Sequence, residues 1–330
     1  MPAQPRFFSP LLAAVLLLLL LCLTAAHAQS PASDWPSRPV TLVVPSSPGG
    51  GTDVYGRILA QALTEHLKQS FVVENKPGAS GAIGATLVAK AEGDGYTLLV
   101  ASNSSLGINP VLLKSPGYDV QRDFAPVTRG VIAPMVVVAH PDAKVKTLAD
   151  LLERGRREPG KLFYGTAGVG SPLYIGMRMI EVAAGAQFGH VPYKGAGAAY
   201  TDLLAGRLQF MLTDMASVRQ HIDSGKLLAL AVTDKTRLLP ATPTLAEAGL
   251  PGITAFTSFS VLLPAKASPA LVQKVAAEVA RAMRDPATAA RLERQALVPV
   301  FDTPEQFAAS LRQEQQNWGS FIRAQGITPD

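Results

Sequence analysis

The sequence predicts an α/β protein built on mostly parallel sheet, and three observations lead there. Short β-rich runs alternate with amphipathic helical stretches across most of the 330 residues, the pattern of strands joined by helical crossovers. Three glycine-rich turns follow apolar runs and open helices, at Pro45–Asp53, Asn75–Gly84 and Gly165–Ser171. In open α/β sheets such turns lie beyond the carboxyl ends of the strands, where ligands bind. Roughly 300 residues after the first segment are enough for two lobes or one large α/β domain.

That first segment reads as an export signal. Arg6 is the only charge before Asp34, Leu11 to Leu23 is almost continuously apolar, and Ala26-His27-Ala28 supplies the small residues of a cleavage site, so cleavage after Ala28 is expected. The apolar run is about 13 residues, against the ~20 that a spanning helix needs. Cys22, the only cysteine, lies within it behind Leu21. A processed chain would therefore carry no disulfide, thiolate metal site or thiol nucleophile. Net charge is +5 with the basic residues scattered, and aromatics are 6%, which argues against a nucleic-acid surface.

The elements follow in order. Val40–Val44 reads as a strand, and Thr52 is placed to cap a helix running to Lys68, with Val54, Ile58, Ala62 and Leu63 on one face. Phe71–Val73 is the next strand, followed by a helix to about Ala91, then a strand at Tyr96–Ala101. Ser102–Pro110 reads as a loop dense in short hydrogen-bonding side chains, Ser104 and Ser105 among them. A strand at Pro134–Ala139 precedes a helix capped by Thr147 and Asp150. Leu162–Tyr164 leads into the Gly165 turn and a helix opened by Ser171-Pro172, the favoured cap arrangement. Phe188–Val191, Leu208–Leu212, Leu227–Val232 and Phe256–Leu263 complete the strands. Ser268-Pro269 and Thr303–Gln306 open the last helices, the latter with a capping box. Phe307, Leu311, Trp318, Phe321 and Ile322 form the buried stripe of the final helix.

Enzymatic patterns are missing. The histidines at 66, 140, 190 and 221 have no His or Cys at zinc-ligand spacing. Neither Gly78–Ala82 nor Gly170–Pro172 makes a nucleophile elbow, and Pro45–Asp53 lacks the Lys-[Ser/Thr] of a phosphate loop. No cofactor is called for. If the strand–helix blocks form two lobes, the turns face one another across a cleft. A small carboxylate would then be held by backbone amides, helix N-termini and the hydroxyls of Thr52, Ser80, Thr166 and Ser171.

Pro45-Ser46-Ser47-Pro48-Gly49-Gly50-Gly51-Thr52-Asp53 resembles the signature of the Bug receptors, the extracytoplasmic solute-binding proteins of tripartite tricarboxylate transporters. Asn75–Gly84, Asp94–Leu98, Ile108–Pro110, Tyr164–Gly168, Val191–Gly195, Gly225–Leu227 and Thr303–Phe307 continue the match. The resemblance implies a type II periplasmic binding protein, with two α/β lobes, a ligand cleft and two crossover segments. It implies lobe 1 at 29–131 and 251–330 and lobe 2 at 132–250, after a signal at 1–28. It implies a periplasmic receptor, not an enzyme, that passes a small carboxylate to membrane permease subunits; the alternative is a sensor acting on a sensor kinase, and a remote one is an exported serine hydrolase using Ser171 or Ser80. Ser47, Gly49, Gly50, Thr52, Asp53, Gly78, Ala79, Ser80 and Gly81 would line one wall with Ser104 and Ser105. Thr166, Gly170 and Ser171 would line the other, with Tyr193 and Asp214 at its edge. Ser46, Tyr174 and Ser258 depart from the family pattern, which has an aromatic, a His and a Trp there. Tyr174 and Ser258 thus join the candidates as pocket positions where ligand identity would differ.

Overall fold

A computed structural model of the chain describes residues 35–193, 196–253 and 255–329, apart from the Ser80 side chain. The expected export signal and its cleavage site lie outside the described residues, as do Lys194 and Gly195.

Two sheets organise the described chain. The first has strand order β11-β4-β10-β3-β1-β2, from β1 (Val40–Val44), β2 (Phe71–Asn75), β3 (Thr97–Ser102), β4 (Phe124–Ala133), β10 (Thr257–Pro264) and β11 (Val298–Pro299). The second has order β7-β6-β8-β5-β9, from β5 (Met135–Ala139), β6 (Phe163–Thr166), β7 (Gly189–Pro192), β8 (Phe210–Asp214) and β9 (Leu228–Val232). The helices that bear on the argument are α1 (Gly51–Leu67), α2 (Ala82–Ala89), α3 (Pro172–Ala184), α4 (Met215–Asp223) and α5 (Pro304–Ala324).

The α/β expectation holds, but the sheets are mixed rather than mostly parallel. β1 pairs in parallel with β2 and β3, and β6 with β7 and β8. β10 runs antiparallel to both β3 and β4, and β5 antiparallel to β8 and β9. The reason is that the chain leaves the first sheet along β4, passes Pro134 into β5 of the second, and returns along β10. Alternation of strand and helix does not register a strand that changes sheets. β4 itself has no counterpart in the sequence reading: Pro126, Arg129 and Gly130 interrupt its pattern.

The Ser102–Pro110 segment is helical, not a loop. A π-turn at Ser104–Ile108 runs into a short helix at Asn109–Leu112. Leu106, Ile108 and Leu112 are buried; their spacing wins over the loop-like composition. The caps at Thr147, Ser171, Ser268 and Thr303 form as read, Thr147 and Thr303 within full capping boxes.

Separate apolar clusters fill each sheet's faces. Val43, Leu99, Ala101, Phe124 and Leu262 belong to one, and Val137, Tyr164, Leu173, Ile180, Phe210 and Leu212 to another. A further cluster joins Ile108, Leu112, Trp318 and Ile322 to Ile175 of α3. The stripe on α5 is core, with only Phe321 half-exposed.

A buried cation ties α5 to β4. Arg129 donates through Nη2 to Ser310 Oγ at 2.8 Å and pairs with the Glu314 carboxylate, while its Nε lies 3.7 Å from Asp302. Burial pushes Glu314 and Asp302 up, and the guanidinium pulls each back. Arg129→Ala would leave Glu314 buried without its partner, a loss of about 3–5 kcal/mol. Urea unfolding of the variant checks this, and Glu314→Gln in the same background is expected to recover part of it.

Candidate functional site

The turn after β1 is shaped by one carboxylate. Gly50, not Thr52, is the N-cap of α1, with no side-chain cap. The helix begins at Gly51, so Thr52 falls inside the first turn, buried at 7% exposure. Asp53, 2% exposed, reaches back instead: Oδ2 accepts from the Gly49 amide at 2.8 Å and from Arg57 Nε at 2.9 Å. Its Oδ1 accepts from Asn75 Nδ2 at 2.9 Å, and the same amide nitrogen donates to Ser46 O at 3.0 Å. Burial pushes the Asp53 carboxyl up, but Arg57, Gly49 and Asn75 together bring it below the ordinary range.

This clamp leaves the helix mouth open. Among the described residues the amides of Gly51, Thr52 and Asp53 have no acceptor, so the positive end of a 17-residue helix carries free donors. A Cβ on Gly51 would stand 2.7 Å from Phe259 Cζ and 3.6 Å from Asp214 Oδ2. Only glycine lets the mouth approach β10 and β8 this closely. Ser47, Gly49 and Gly50 are exposed beside it.

The other predicted residues fall into three groups. Gly81 is buried against the β3 exit, where a Cβ would meet Ser105 Oγ at 2.3 Å; its φ of +96° also requires glycine. Gly78 and Ala79 are exposed on the same turn, Ala79 itself at φ +47°. The exits of β3 and β6 meet directly, since Ser104 Oγ donates to Gly170 O at 2.6 Å.

The Gly165–Ser171 turn spends its hydroxyls on itself. Ser171 Oγ donates to Gly168 O at 2.7 Å and accepts from the Tyr174 amide at 3.3 Å. Thr166 Oγ1 accepts from the Gly168 amide at 3.2 Å and meets His190 Nε2 at 2.7 Å. Tyr174 packs on the His190 ring at 4.6 Å. Tyr193 donates its hydroxyl to Asp202 at 2.7 Å, away from the other turns, while its amide donates to Thr166 O. Ser258 is buried on β10, its amide donating to Asn103 Oδ1 at 3.3 Å.

Asp214 closes the arrangement at the end of β8. It lines a cavity of about 210 Å³ with Gly49, Gly51, Val54, Ser217 and Phe259. Its Oδ1 is buried without a hydrogen-bond partner. Burial pushes the carboxyl up to about 6, with Thr257 lowering it.

Four contributors were not among the predicted site residues. Phe259 forms a cavity wall, Asn103 grips Phe256 O at 2.8 Å and so holds β10 to the β3 exit, and Arg57 and Asn75 complete the Asp53 clamp. Arg57 was findable as the i+4 partner of Asp53. Asn103 and Asn75 sat within motifs already singled out.

The family model for the tripartite tricarboxylate transporter family receptor matches residues 55–327. Protein BugT of Bordetella pertussis is 35% identical over 298 residues, covering 89% of this chain and 91% of that one. A protein of R. palustris solved with adipate superposes at TM-score 0.84 with 32% identity, over 90% of this chain and 100% of that one. MatC from Rhodopseudomonas palustris, solved with bound malate, superposes at 0.79 with 28% identity, over 87% and 100%.

Two expectations test the geometry. Asp53→Ala is expected to cost about 1–3 kcal/mol by leaving the donors of Gly49, Asn75 and Arg57 unmatched. Because the Asp53 pKa is lowered on folding, its contribution is present above the ordinary carboxylate range and is lost as pH falls through the folded value; the gap to the variant therefore narrows in acid. Asp214 has the opposite sign: a pKa raised from 3.8 to about 6 penalises the folded state above pH 6 and not below 4. Without added ligand, Asp214→Asn is expected to exceed the wild type in stability by up to about 3 kcal/mol at pH 7, with the difference vanishing near pH 4. Denaturant midpoints across pH 4–8 measure both.

Proposed function

The chain belongs to the tripartite tricarboxylate transporter receptor family, whose members are two-lobed solute-binding receptors rather than enzymes, and on that footing we propose that it captures a small carboxylate in the periplasm and hands it to membrane permease subunits. One observation carries the reading: the unbonded amides of Gly51, Thr52 and Asp53 at the positive end of α1, held open by a carboxylate that is itself fully engaged. Backbone donors at a helix mouth are a ready seat for a carboxylate. That a relative was solved with adipate and another with malate supports the ligand class.

In this reading the ligand lies between two walls. Ser47, Gly49, Gly50, Thr52 and Asp53, with Gly78, Ala79, Ser80, Gly81, Ser104 and Ser105, form the first. Thr166, Gly170, Ser171 and Tyr174 form the second, and Asp214 and Ser258 stand at the crossover side. Tyr193 belongs to the second wall through its backbone, since its hydroxyl is engaged by Asp202. Lobe 1 comprises 29–131 with 251–330, and lobe 2 comprises 132–250, after a signal removed behind Ala28. Thr166 and Ser171 act by shaping their turn, so that its amides rather than its hydroxyls face the ligand. Closure of the lobes on the ligand gives the permease a distinct state to recognise.

Thermal unfolding in the presence of a panel of mono- and dicarboxylic acids tests the proposal. A recognised acid at 100 times its Kd is expected to stabilise the chain by about 2.7 kcal/mol. A panel in which no acid raises the midpoint overturns the carboxylate reading. Loss of uptake of the recognised acid on deletion of this chain, with the permease subunits intact, tests the delivery step.

A further inference from the structure

The cavity at the mouth of α1 is electrically two-sided. Gly51, whose amide is free, lines it, and so does Asp214 from the end of β8, with Oδ2 3.6 Å from where a Cβ on Gly51 would sit. Asp214 Oδ1 is buried without a partner, and the Thr257 hydroxyl favours its charged form. Among the described residues no arginine or lysine side chain lines this cavity. A buried carboxylate with an unmatched oxygen is costly unless a donor reaches it. The raised pKa of Asp214 reports that cost.

A plain carboxylate would satisfy only half of this site. Its oxygens suit the α1 amides, but the same oxygens are repelled by Asp214 a few ångströms away. A ligand that places a donor on Asp214 and its carboxylate on α1 satisfies both. The volume of about 210 Å³ is several times the ~30 Å³ share of one water, so a small molecule with two such groups has room.

Resting on the receptor reading above, we propose that Asp214 is the specificity-determining residue of the site, and that the ligand is a carboxylic acid which also carries a hydrogen-bond donor, an amine or a hydroxyl, that binds the Asp214 carboxyl. An ammonium makes the stronger, charge-assisted bond and a hydroxyl the weaker one. Discrimination against the analogue lacking the donor is then large, because that analogue leaves Asp214 unpaired within a closed site.

Matched trios that differ only in this group test the inference: succinate, malate and aspartate; glutarate, 2-hydroxyglutarate and glutamate; propionate, lactate and alanine. Each is titrated calorimetrically into the processed wild-type chain and into Asp214→Ala and Asp214→Asn. In at least one trio a donor-bearing acid is expected to bind 10-fold or more tightly than its unsubstituted analogue, and the ratio is expected to fall towards one in Asp214→Ala. Preference for the amine assigns an ammonium contact, and preference for the hydroxy acid a neutral one; either supports the proposal. Equal or tighter binding of the unsubstituted acids overturns it, as does a preference that survives in both variants. Binding of the unsubstituted acid also shows that a variant is folded. If no acid of any trio binds the wild type, the receptor reading falls and this inference falls with it.

Discussion

The Asp53 carboxylate is the interaction on which the site depends. It gathers the Gly49 amide, the Arg57 guanidinium and the Asn75 carboxamide, and so joins the β1 exit, the first turns of α1 and the end of β2. An ordinary capped helix turns a side chain onto its own first amides. Here the N-cap is Gly50, the acid three residues on reaches back past it to Gly49, and the Gly51, Thr52 and Asp53 amides stay free. The same contact that rigidifies the turn thereby leaves its donors available, and a rigid donor set loses little on binding.

The opposite side of the site is built by strands that pass between sheets. β4 and β10 lie side by side from Phe124↔Pro264 to Ala133↔Thr257, and β10 presents Phe259 to α1 while Thr257 meets Asp214. Asn103 fastens the start of β10 to the β3 exit by two hydrogen bonds, and Arg129 fastens β4 to α5. Only Pro134 separates β4 of the first sheet from β5 of the second.

Much of this was legible in the residues. Strands with their own apolar run, such as Val40–Val44 and Leu208–Leu212, and caps such as Ser171-Pro172 and Thr303–Gln306, carry local signals that tertiary contacts did not override. β4 was silent because a buried arginine, a proline and a glycine break its alternation, and the arginine is tolerated only through Glu314 and Asp302, far along the chain. The Ser102–Pro110 segment misled for the converse reason: its polar residues are spent on distant partners, Asn103 on Phe256 O and Ser104 on Gly170 O, while Leu106 and Ile108 drive it into the core. The motif around Gly49–Asp53 pointed to a ligand seat but gave Thr52 the cap. Helix entry depends on backbone angles at Gly49 and Gly50 that composition does not reveal. Asp214 stood out only through the resemblance, since its lack of a partner is a property of space.

The seam where Ile175 meets Ile108, Leu112, Trp318 and Ile322, beside the Ser104–Gly170 hydrogen bond, carries a thermodynamic consequence. Any parting of the halves that opens this seam exposes hydrocarbon to water, so opening has a positive heat-capacity change and its free energy bends with temperature. Hydrophobic contacts weaken on cooling. Cold therefore weakens this hydrocarbon seam more than the Ser104–Gly170 hydrogen bond beside it.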